Sequence, residues 1–287
     1  MSVVDVIQPH DTLLVDKDDQ QAAYRQRYRE PLQTARGWND TIAGLLDHRS
    51  VRAFHPDPLP KGTIEAIVAA AQSAPTSSNL QAWSVVAVQD PARKARLAEL
   101  AGNQKHIKDA PLLLVWVADL ARAGNIAAAT GRELEGLAFT ETFLIASIDA
   151  ALAAQNALVA AESLGFGTVY VGALRNHPAE VAAEIDLPPS SFAVFGLVVG
   201  YLDRSVQTAV KPRLPQAAVL HYERYSQDAQ QEAIARHDRH TSAFRAEQGL
   251  DPASWSELVI ARLQTVAALK GRHLLRDVLN RLGFPLK

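Results

Sequence analysis

The stretch that decides the fold is Thr142–Arg175, with the sequence TFLIASIDAALAAQNALVAAESLGFGTVYVGALR. Between Phe143 and Leu164, apolar residues fall on every side of a helix with 3.6 residues per turn, so no broad polar face is left for water. This pattern predicts a buried central helix. Asp149 and Glu162 argue against a membrane span, and the many alanines suit close approach of neighbouring helices.

The residues after this helix predict a tight turn and a buried strand. Gly165 supplies the left-handed conformation that commonly ends a helix, and Thr168–Val171 has the β-branched and aromatic content of a strand. Gly172 follows directly, and its lack of a side chain would let a flat ligand lie against the backbone.

Buried strands are also predicted elsewhere in the chain. They cover Trp83–Val88, Pro111–Ala118 and Phe192–Tyr201, with helices between them. This order predicts the α+β class, with a mixed central sheet flanked by helices around the buried central helix. Two shorter stretches carry local expectations. Ala121–Gly136 has little periodicity and is predicted to be a mobile excursion, and Asp251-Pro252 is predicted to begin a helix.

The chain is predicted to contain one domain, residues 38–287, which includes the C-terminal helices. Residues 1–37 form an N-terminal extension with a short surface helix around Lys17–Glu30, and we assign this extension no chemistry.

Composition and charge narrow the classes of function. The 287 residues are 48% hydrophobic and 21% charged, as in soluble globular proteins. The absence of cysteine excludes disulfides, thiolate nucleophiles and Cys-ligated metal centres, and no His-x-x-x-His spacing predicts another metal site. A net charge of −2 gives no signature of nucleic acid or an anionic membrane as partner. The N-terminus lacks a secretory pattern, so a cytoplasmic protein is expected.

Two basic segments are candidates for anion binding. In His48-Arg49-Ser50-Val51-Arg52, two guanidinium groups and a hydroxyl offer the donors that a phosphate monoester needs. Lys211-Pro212-Arg213 holds two more cations on a segment stiffened by proline. By themselves, cations at a helix end or in a surface turn are more typical of structural roles than of phosphate binding.

Two polar segments also stand out. Ala74–Trp83, APTSSNLQAW, is dense in short donors and acceptors between a helix and a strand, although such residues favour ordinary turns as well. Gly102–His106, GNQKH, places Gln104 in a second loop.

These segments, in this order and spacing, resemble the nitroreductase superfamily of FMN-dependent enzymes. The likeness is to its NADPH-dependent, oxygen-insensitive nitroreductase and flavin reductase branch, and it covers about residues 39–287. The segments that carry it are HRSVRAF, APTSSNLQAW, AGNQKH, DAALAAQNALVAAESLGFGTVYVGALRN and KPRLP.

The resemblance implies a homodimer with two FMN molecules, each held by both subunits. Carried over to this sequence, it implies that the cofactor phosphate and ribityl chain meet His48, Arg49, Ser50, Arg52, Lys211 and Arg213. It implies that the partner subunit contributes Ser77, Ser78, Asn79 and Gln81, and that Gln104, Tyr170, Val171, Gly172 and Ala173 meet the ring, with the Gly172 amide near N5. Chemistry on FMN leaves no catalytic side chain to assign.

Two positions depart from the branch pattern. Asn79 stands where close relatives often have an aromatic residue, which puts stacking of substrate on that loop in doubt. Ala173 stands where a second glycine is frequent, and its methyl group narrows the ring pocket.

The implied activity passes hydride from NADPH through FMN to nitroaromatics, quinones or free flavins by a ping-pong mechanism. Two alternatives remain open: a flavin-binding carrier or regulator without turnover, and a flavin-dependent dehalogenase or ring-fragmenting relative. For the 2′-phosphate of NADPH, the candidates are Lys270 and Arg272, which flank the bend at Gly271, with Arg245 as a third.

Overall fold

The computed structural model describes residues 17–31 and 37–287, so the rest of the predicted extension, residues 1–16 and 32–36, lies outside the described part. The chain divides into two compact units. Unit 1 takes residues up to 49 together with residues 209–264, and unit 2 takes residues 50–208 and 265–287.

The described residues contain four strands and eleven α-helices. The strands are β1 (Trp83–Val88), β2 (Leu112–Asp119), β3 (Gly167–Val171) and β4 (Ser191–Gly200). The helices are α1 (Lys17–Tyr28), α2 (Asp40–Asp47), α3 (Thr63–Gln72), α4 (Pro91–Leu100), α5 (Lys105–Asp109), α6 (Ala121–Thr130), α7 (Thr140–Ser163), α8 (Pro178–Glu184), α9 (Gln230–Glu247), α10 (Trp255–Leu263) and α11 (Leu275–Arg281).

Unit 2 is built on one sheet with the strand order β1-β2-β4-β3, and each neighbouring pair is antiparallel. The α+β class is as predicted, but the mixed sheet is not, because all strand pairings in this sheet are antiparallel and the parallel pairing of Ser50 with Thr168 is an isolated bridge outside the strands. All four strands occur within one or two residues of the predicted bounds, because each is a short apolar run between turn residues.

The sheet of unit 2 lies between two helical layers, as the alternation along β2 shows. Leu113 and Val115 pack on the side of α4, α5 and α8, whereas Leu114 and Trp116 pack on the side of α3 and α7. Both faces of the strand are therefore covered, which explains its unbroken apolar sequence.

Helix α7 is the predicted central helix, and its two sides differ. The alanine side, which includes Ala150, Ala153 and Ala157, is fully buried against the core. The opposite side exposes Leu144, Ile148 and Leu152, which are 48%, 56% and 40% accessible. The helix is apolar all round, as predicted, but residues 17–31 and 37–287 cover only one side of it.

Two local predictions were wrong. The segment Ala121–Gly136 is not an irregular excursion, because α6 forms in it and Gly131 ends that helix in the left-handed conformation. Alanine favours a helix even without an apolar stripe, which a search for periodicity misses. Asp251-Pro252 does not begin α10, because Ser254 and Glu257 form a capping box there.

Unit 1 joins part of the predicted extension to the segments after residue 209. Helix α1 is the helix expected around Lys17–Glu30, but Tyr24 and Arg27 are buried rather than exposed at a surface. Arg29 pairs with Glu247 of α9 at 2.7 Å, and Arg236 of α9 pairs with Glu30 at 3.2 Å. Helix α1 is therefore anchored within the unit through its C-terminal end.

Candidate functional site

The predicted site residues fall in both units. Unit 1 contains His48, Arg49, Lys211, Arg213 and Arg245. Unit 2 contains Ser50, Arg52, Ser77, Ser78, Asn79, Gln81, Gln104, Tyr170, Val171, Gly172, Ala173, Lys270 and Arg272. The geometry of each group is described within its own unit.

In unit 1, the segment Lys211-Pro212-Arg213 is extended and presents its two cations outward. Lys211 and Arg213 are exposed, whereas Pro212 between them is buried. Successive side chains of an extended chain point to opposite sides, so Lys211 and Arg213 lie on the same side of the segment. Proline has no N–H to donate, so this backbone must be anchored through the carbonyls and amides of the residues beside it.

The buried guanidinium of Arg27 supplies that anchoring. Its Nη1 donates to the Lys211 carbonyl at 2.9 Å, and its Nη2 donates to the carbonyls of Leu46, at 2.7 Å, and His48. The Arg27 carbonyl in turn accepts from the Arg213 amide at 2.9 Å. One side chain, 4% exposed, thus joins the two basic segments of unit 1.

Arg27 also completes the end of a helix. Leu46 lies in the last turn of α2, and His48 is its C-terminal cap, so their carbonyls lack the amide partners that a continuing helix would supply. The sequence reasoning missed Arg27 because it assigned no chemistry to the extension. No local motif marks the contact, since its partners lie in α2 and near residue 211.

The neighbouring Arg49 is held by a short-range ion pair. Its Nη1 lies 2.7 Å from Asp47 Oδ1, and the two side chains are 33% and 58% exposed. Exposed pairs of this kind contribute roughly 0–1 kcal/mol, so a dianion could displace Asp47 from the guanidinium.

A cavity of about 530 Å³ opens beside these cations within unit 1. Its lining includes Lys211, Arg213 and Arg245, together with aromatic and apolar side chains from α1, α9 and α10. Buried His237 also lines it, and burial, followed by the charge of His240, lowers the pKa of that imidazole. The cavity combines positive charge with aromatic and apolar walls, as a site for an aromatic anion requires.

In unit 2, the second half of the HRSVR segment lies along β3. The Val51 amide donates to the Thr168 carbonyl at 2.9 Å, which fixes Ser50 and Arg52 on either side of that bond. Arg52 is close enough to α5 to act on His106, whose pKa is lowered by burial first and by the Arg52 charge second. Gln104, the N-terminal cap of α5, is therefore brought to the same region.

The polar loop before β1 is held by a carboxylate of α7. Asp149, 2% exposed, accepts from the Thr76 hydroxyl, from the Ser77 amide at 3.1 Å and from the Ala82 amide at 3.3 Å. Between these points the backbone takes left-handed conformations at Ser78, Asn79 and Gln81. The loop thus presents its polar side chains to solvent from a fixed base.

In the sequence, Asp149 argues only against a membrane span, and the sequence reasoning assigns it no further role. A lone carboxylate in an apolar helix is costly to bury unless several donors satisfy it, which is the signal that could have identified it.

Helix α6 contributes a second clamp on this loop. Arg122 Nη1 donates to the Gln81 carbonyl at 2.7 Å, and its Nη2 donates to the Ser84 hydroxyl at 2.8 Å. The segment expected to be mobile thus helps to fix the loop.

The strand β3 delivers the predicted ring-binding residues to one place. Tyr170 is 37% exposed and packs edge-on against Phe195, and Val171 is buried. The chain then enters a 3₁₀ turn, Gly172–Asn176. A Cβ at Gly172 would meet Arg175 Nη2 at 3.2 Å, so the missing side chain allows the guanidinium to lie against this backbone.

The predicted bend at Gly271 exists. Lys270 and Gly271 both have left-handed backbone conformations, with φ of 50° and 83°. Lys270 is exposed, and Arg272 Nε donates to Asn176 Oδ1 at 2.9 Å. The bend therefore lies beside the turn that follows β3.

Comparison with known families gives two adjoining matches. Residues 45–201 match the model of the nitroreductase family, and residues 211–287 match the model of the nitroreductase family C-terminal domain. Helix α1 lies before both matched regions.

Individual relatives agree with these matches. A curated relative named FMN reductase [NAD(P)H], from Bacillus subtilis, is 38% identical over 255 residues, which are 87% of this chain and 99% of the relative. The solved structure of NfrA1 from Bacillus megaterium has a TM-score of 0.81 and 36% identity, covering 86% of this chain and all of that one. The NADPH:FMN oxidoreductase of Vibrio harveyi complexed with NAD⁺ has a TM-score of 0.76 and 34% identity, covering 87% of this chain and all of that one.

Proposed function

The chain belongs to the nitroreductase family, and on this premise we propose that it is an FMN-dependent oxidoreductase that takes hydride from NAD(P)H. The observation that carries the proposal is the joining of His48-Arg49 and Lys211-Pro212-Arg213 by Arg27 in unit 1. Several cations on two fixed segments suit a phosphate dianion, which is the charged end of FMN.

Within unit 2, taken by itself, the residues after β3 suit the ring of FMN. Tyr170, Gly172 and Ala173 are each at least partly exposed at this turn, so a flat ring would have a surface to pack on, bordered by the Arg175 guanidinium that lies against Gly172. Ser50, Arg52 and Gln104 supply donors from the adjacent part of unit 2. Each unit thus contains groups that suit a part of FMN: the basic segments of unit 1 suit its phosphate, and the turn after β3 in unit 2 suits its ring.

When bound, FMN would supply hydride acceptance at N5 and two-electron delivery to an acceptor. The protein would orient and hold the reactants. Arg49, Lys211 and Arg213 would neutralise the phosphate, and the Gly172 amide would donate toward N5. His48 would pack or hydrogen-bond in a segment dominated by arginines, and no side chain is required to move a proton.

Nitroaromatics, quinones and free flavins are the proposed acceptors, and one site would serve nicotinamide and acceptor in turn. The purified protein should be yellow and release FMN on denaturation, and it should give parallel lines in double-reciprocal plots when both substrates vary. A colourless protein that gains no FMN on reconstitution would contradict the proposal.

The principal rival is a flavin carrier or regulator without turnover. Rapid mixing with NADPH distinguishes the two, because an enzyme bleaches its flavin absorption and a carrier does not. Dehalogenation or ring fragmentation is separated by product analysis, since only those reactions cleave a carbon–halogen bond or a ring.

We also propose that the active form is a homodimer. The exposed stripe Leu144, Ile148 and Leu152 is an apolar surface of a kind that monomers rarely leave uncovered. The loop residues Ser77, Ser78, Asn79 and Gln81 are exposed on the anchored loop, as groups that reach a cofactor held mainly by the other subunit would be. An FMN-loaded monomer in sedimentation at micromolar concentration would contradict this arrangement.

For NADPH, the structure offers two groups of cations. Lys270 and Arg272 flank the bend beside the turn after β3, and Arg245 lines the cavity of unit 1. We propose the Lys270–Arg272 pair as the 2′-phosphate site, since a bend lets two cations converge on one anion. Arg245 is the competing candidate.

A further inference from the structure

Helix α1 stands outside the regions that match the nitroreductase family, yet it holds the basic segments of unit 1. Arg27 donates to backbone carbonyls on both segments and accepts from the Arg213 amide through its own carbonyl. Its side chain is too deeply buried to meet a ligand directly. Any effect of Arg27 on a ligand must therefore pass through the groups that it holds.

The chemistry of the side chain suits this task. A guanidinium presents five donors in one plane, so it can bind several carbonyls at fixed angles, whereas an ammonium acts as a compact point charge. Here the carbonyls come from the end of α2 and from the proline-stiffened segment. Fixing the carbonyls of His48 and Lys211 restricts the directions in which Arg49, Lys211 and Arg213 leave the backbone.

The helix that carries Arg27 is itself fixed. Arg29 makes two hydrogen bonds to Glu247, at 2.7 and 2.8 Å, and its guanidinium lies 5.6 Å from the Phe244 ring centre. Tyr24 packs against Trp38, with ring centres 5.8 Å apart. These contacts hold the last turn of α1, where Arg27 lies, on unit 1.

We propose that Arg27, supplied by the N-terminal extension, is a positioning residue for the phosphate of the flavin cofactor. It pre-arranges the cations at residues 49, 211 and 213 so that they meet the dianion together. This role rests on the proposed FMN-dependent function. The extension is then part of the cofactor site rather than an appendage.

The test compares two flavins that differ by the phosphate. Apoprotein is titrated with FMN and with riboflavin, which lacks the phosphate, and binding is followed by flavin fluorescence. Arg27→Ala should weaken FMN binding about tenfold or more, because misplaced cations would lose roughly one or two charge-assisted hydrogen bonds to the phosphate. It should change riboflavin binding less than about twofold. Arg27→Lys should fall between Arg27→Ala and the unchanged protein.

Arg25→Ala is the matched control, because Arg25 lies two residues away on α1 and is exposed. It should bind both flavins as the unchanged protein does. In an Arg213→Ala background, Arg27→Ala should cause a smaller further loss of FMN affinity than it does alone, since the two residues act through one site.

The results separate this role from the proposed function. If the unchanged protein binds neither flavin, the proposed function fails and this role fails with it. If it binds FMN but folded Arg27→Ala binds FMN equally well, or loses both flavins by the same factor, only the role of Arg27 is overturned. If Arg27→Ala does not fold, Arg27→Lys decides by the same two comparisons.

Discussion

Two buried charges hold the predicted binding segments, and they do so in opposite ways. In the Arg27 anchor of unit 1, one cation donates to the carbonyls of Leu46, His48 and Lys211. In the Asp149 anchor of unit 2, one anion accepts from Thr76, Ser77 and Ala82. Each charge is satisfied by the segment that it fixes, so burial becomes tolerable and the segment becomes rigid.

The difference lies in where the two anchors come from. Asp149 is part of the central helix, inside the matched nitroreductase region, whereas Arg27 is part of the extension that precedes it. One anchor is therefore built into the main fold of unit 2. The other is added by a separate helix, which makes the basic segments of unit 1 depend on residues beyond the family pattern.

The largest expected effect is at the Asp149 anchor. Asp149→Leu leaves the Thr76 hydroxyl and two amides without their acceptor, and it should lower the free energy of unfolding by about 3 kcal/mol in denaturant titrations. Asp149→Asn should cost less, because its carbonyl oxygen still accepts. Glu141→Gln, at an exposed site in the first turn of α7, is the control and should change stability by less than about 0.5 kcal/mol.

Stability alone does not separate loss of the loop from general weakening of the core. Hydrogen exchange of Asp149→Leu should accelerate most at the amides of residues 77–82. Uniform acceleration through α7 and β2 would show instead that Asp149 supports the core and that the loop has no special dependence on it.

A smaller effect is expected when a cation held by the Arg27 anchor is removed. Arg213→Ala or Arg49→Ala should weaken FMN retention by roughly 1.5–3 kcal/mol if each makes a charge-assisted bond to the phosphate. Arg239→Ala, at an exposed site on α9, is the control. Equilibrium dialysis measures the change, and unchanged retention in both variants would move the phosphate site elsewhere.

A still smaller effect is expected on the preference for NADPH over NADH when Lys270 and Arg272 are replaced. Lys270→Ala combined with Arg272→Ala should raise the KM for NADPH about tenfold, leave that for NADH nearly unchanged and preserve bound FMN. Arg245→Ala provides the comparison from the cavity of unit 1. If only Arg245→Ala raises the KM for NADPH selectively, the 2′-phosphate site lies in that cavity. If the Lys270 and Arg272 double variant loses activity equally with NADPH and NADH, the pair supports the pocket generally.

The contrast between the anchors also shows what a sequence can reveal. The sheet and α7 were predictable because apolar runs and helix-ending glycines are local signals. Asp149 was visible as a charge in an apolar helix, although its partners were not. Arg27 lies in a mixed-charge helix that looks solvated, and its burial depends on contacts with residues distant in the chain.

The smallest expected effect is on the pH dependence of stability, and it involves one buried histidine in each unit. Burial lowers the pKa of His106 in unit 2, and it is also the main cause of the lowered pKa of His237 in unit 1. The unfolded chain therefore gains protons first as the pH falls below about 6.5, where free histidine titrates. The stability that the neutral imidazoles contribute is complete above that pH. It is lost as the pH falls toward the lowered pKa values that the two histidines have in the folded protein. Unfolding of the apoprotein between pH 7.5 and 5.5 should show this decline, and His237→Phe, which keeps a ring against Trp255, should reduce it. Equal slopes with and without His237 would assign the decline to other groups.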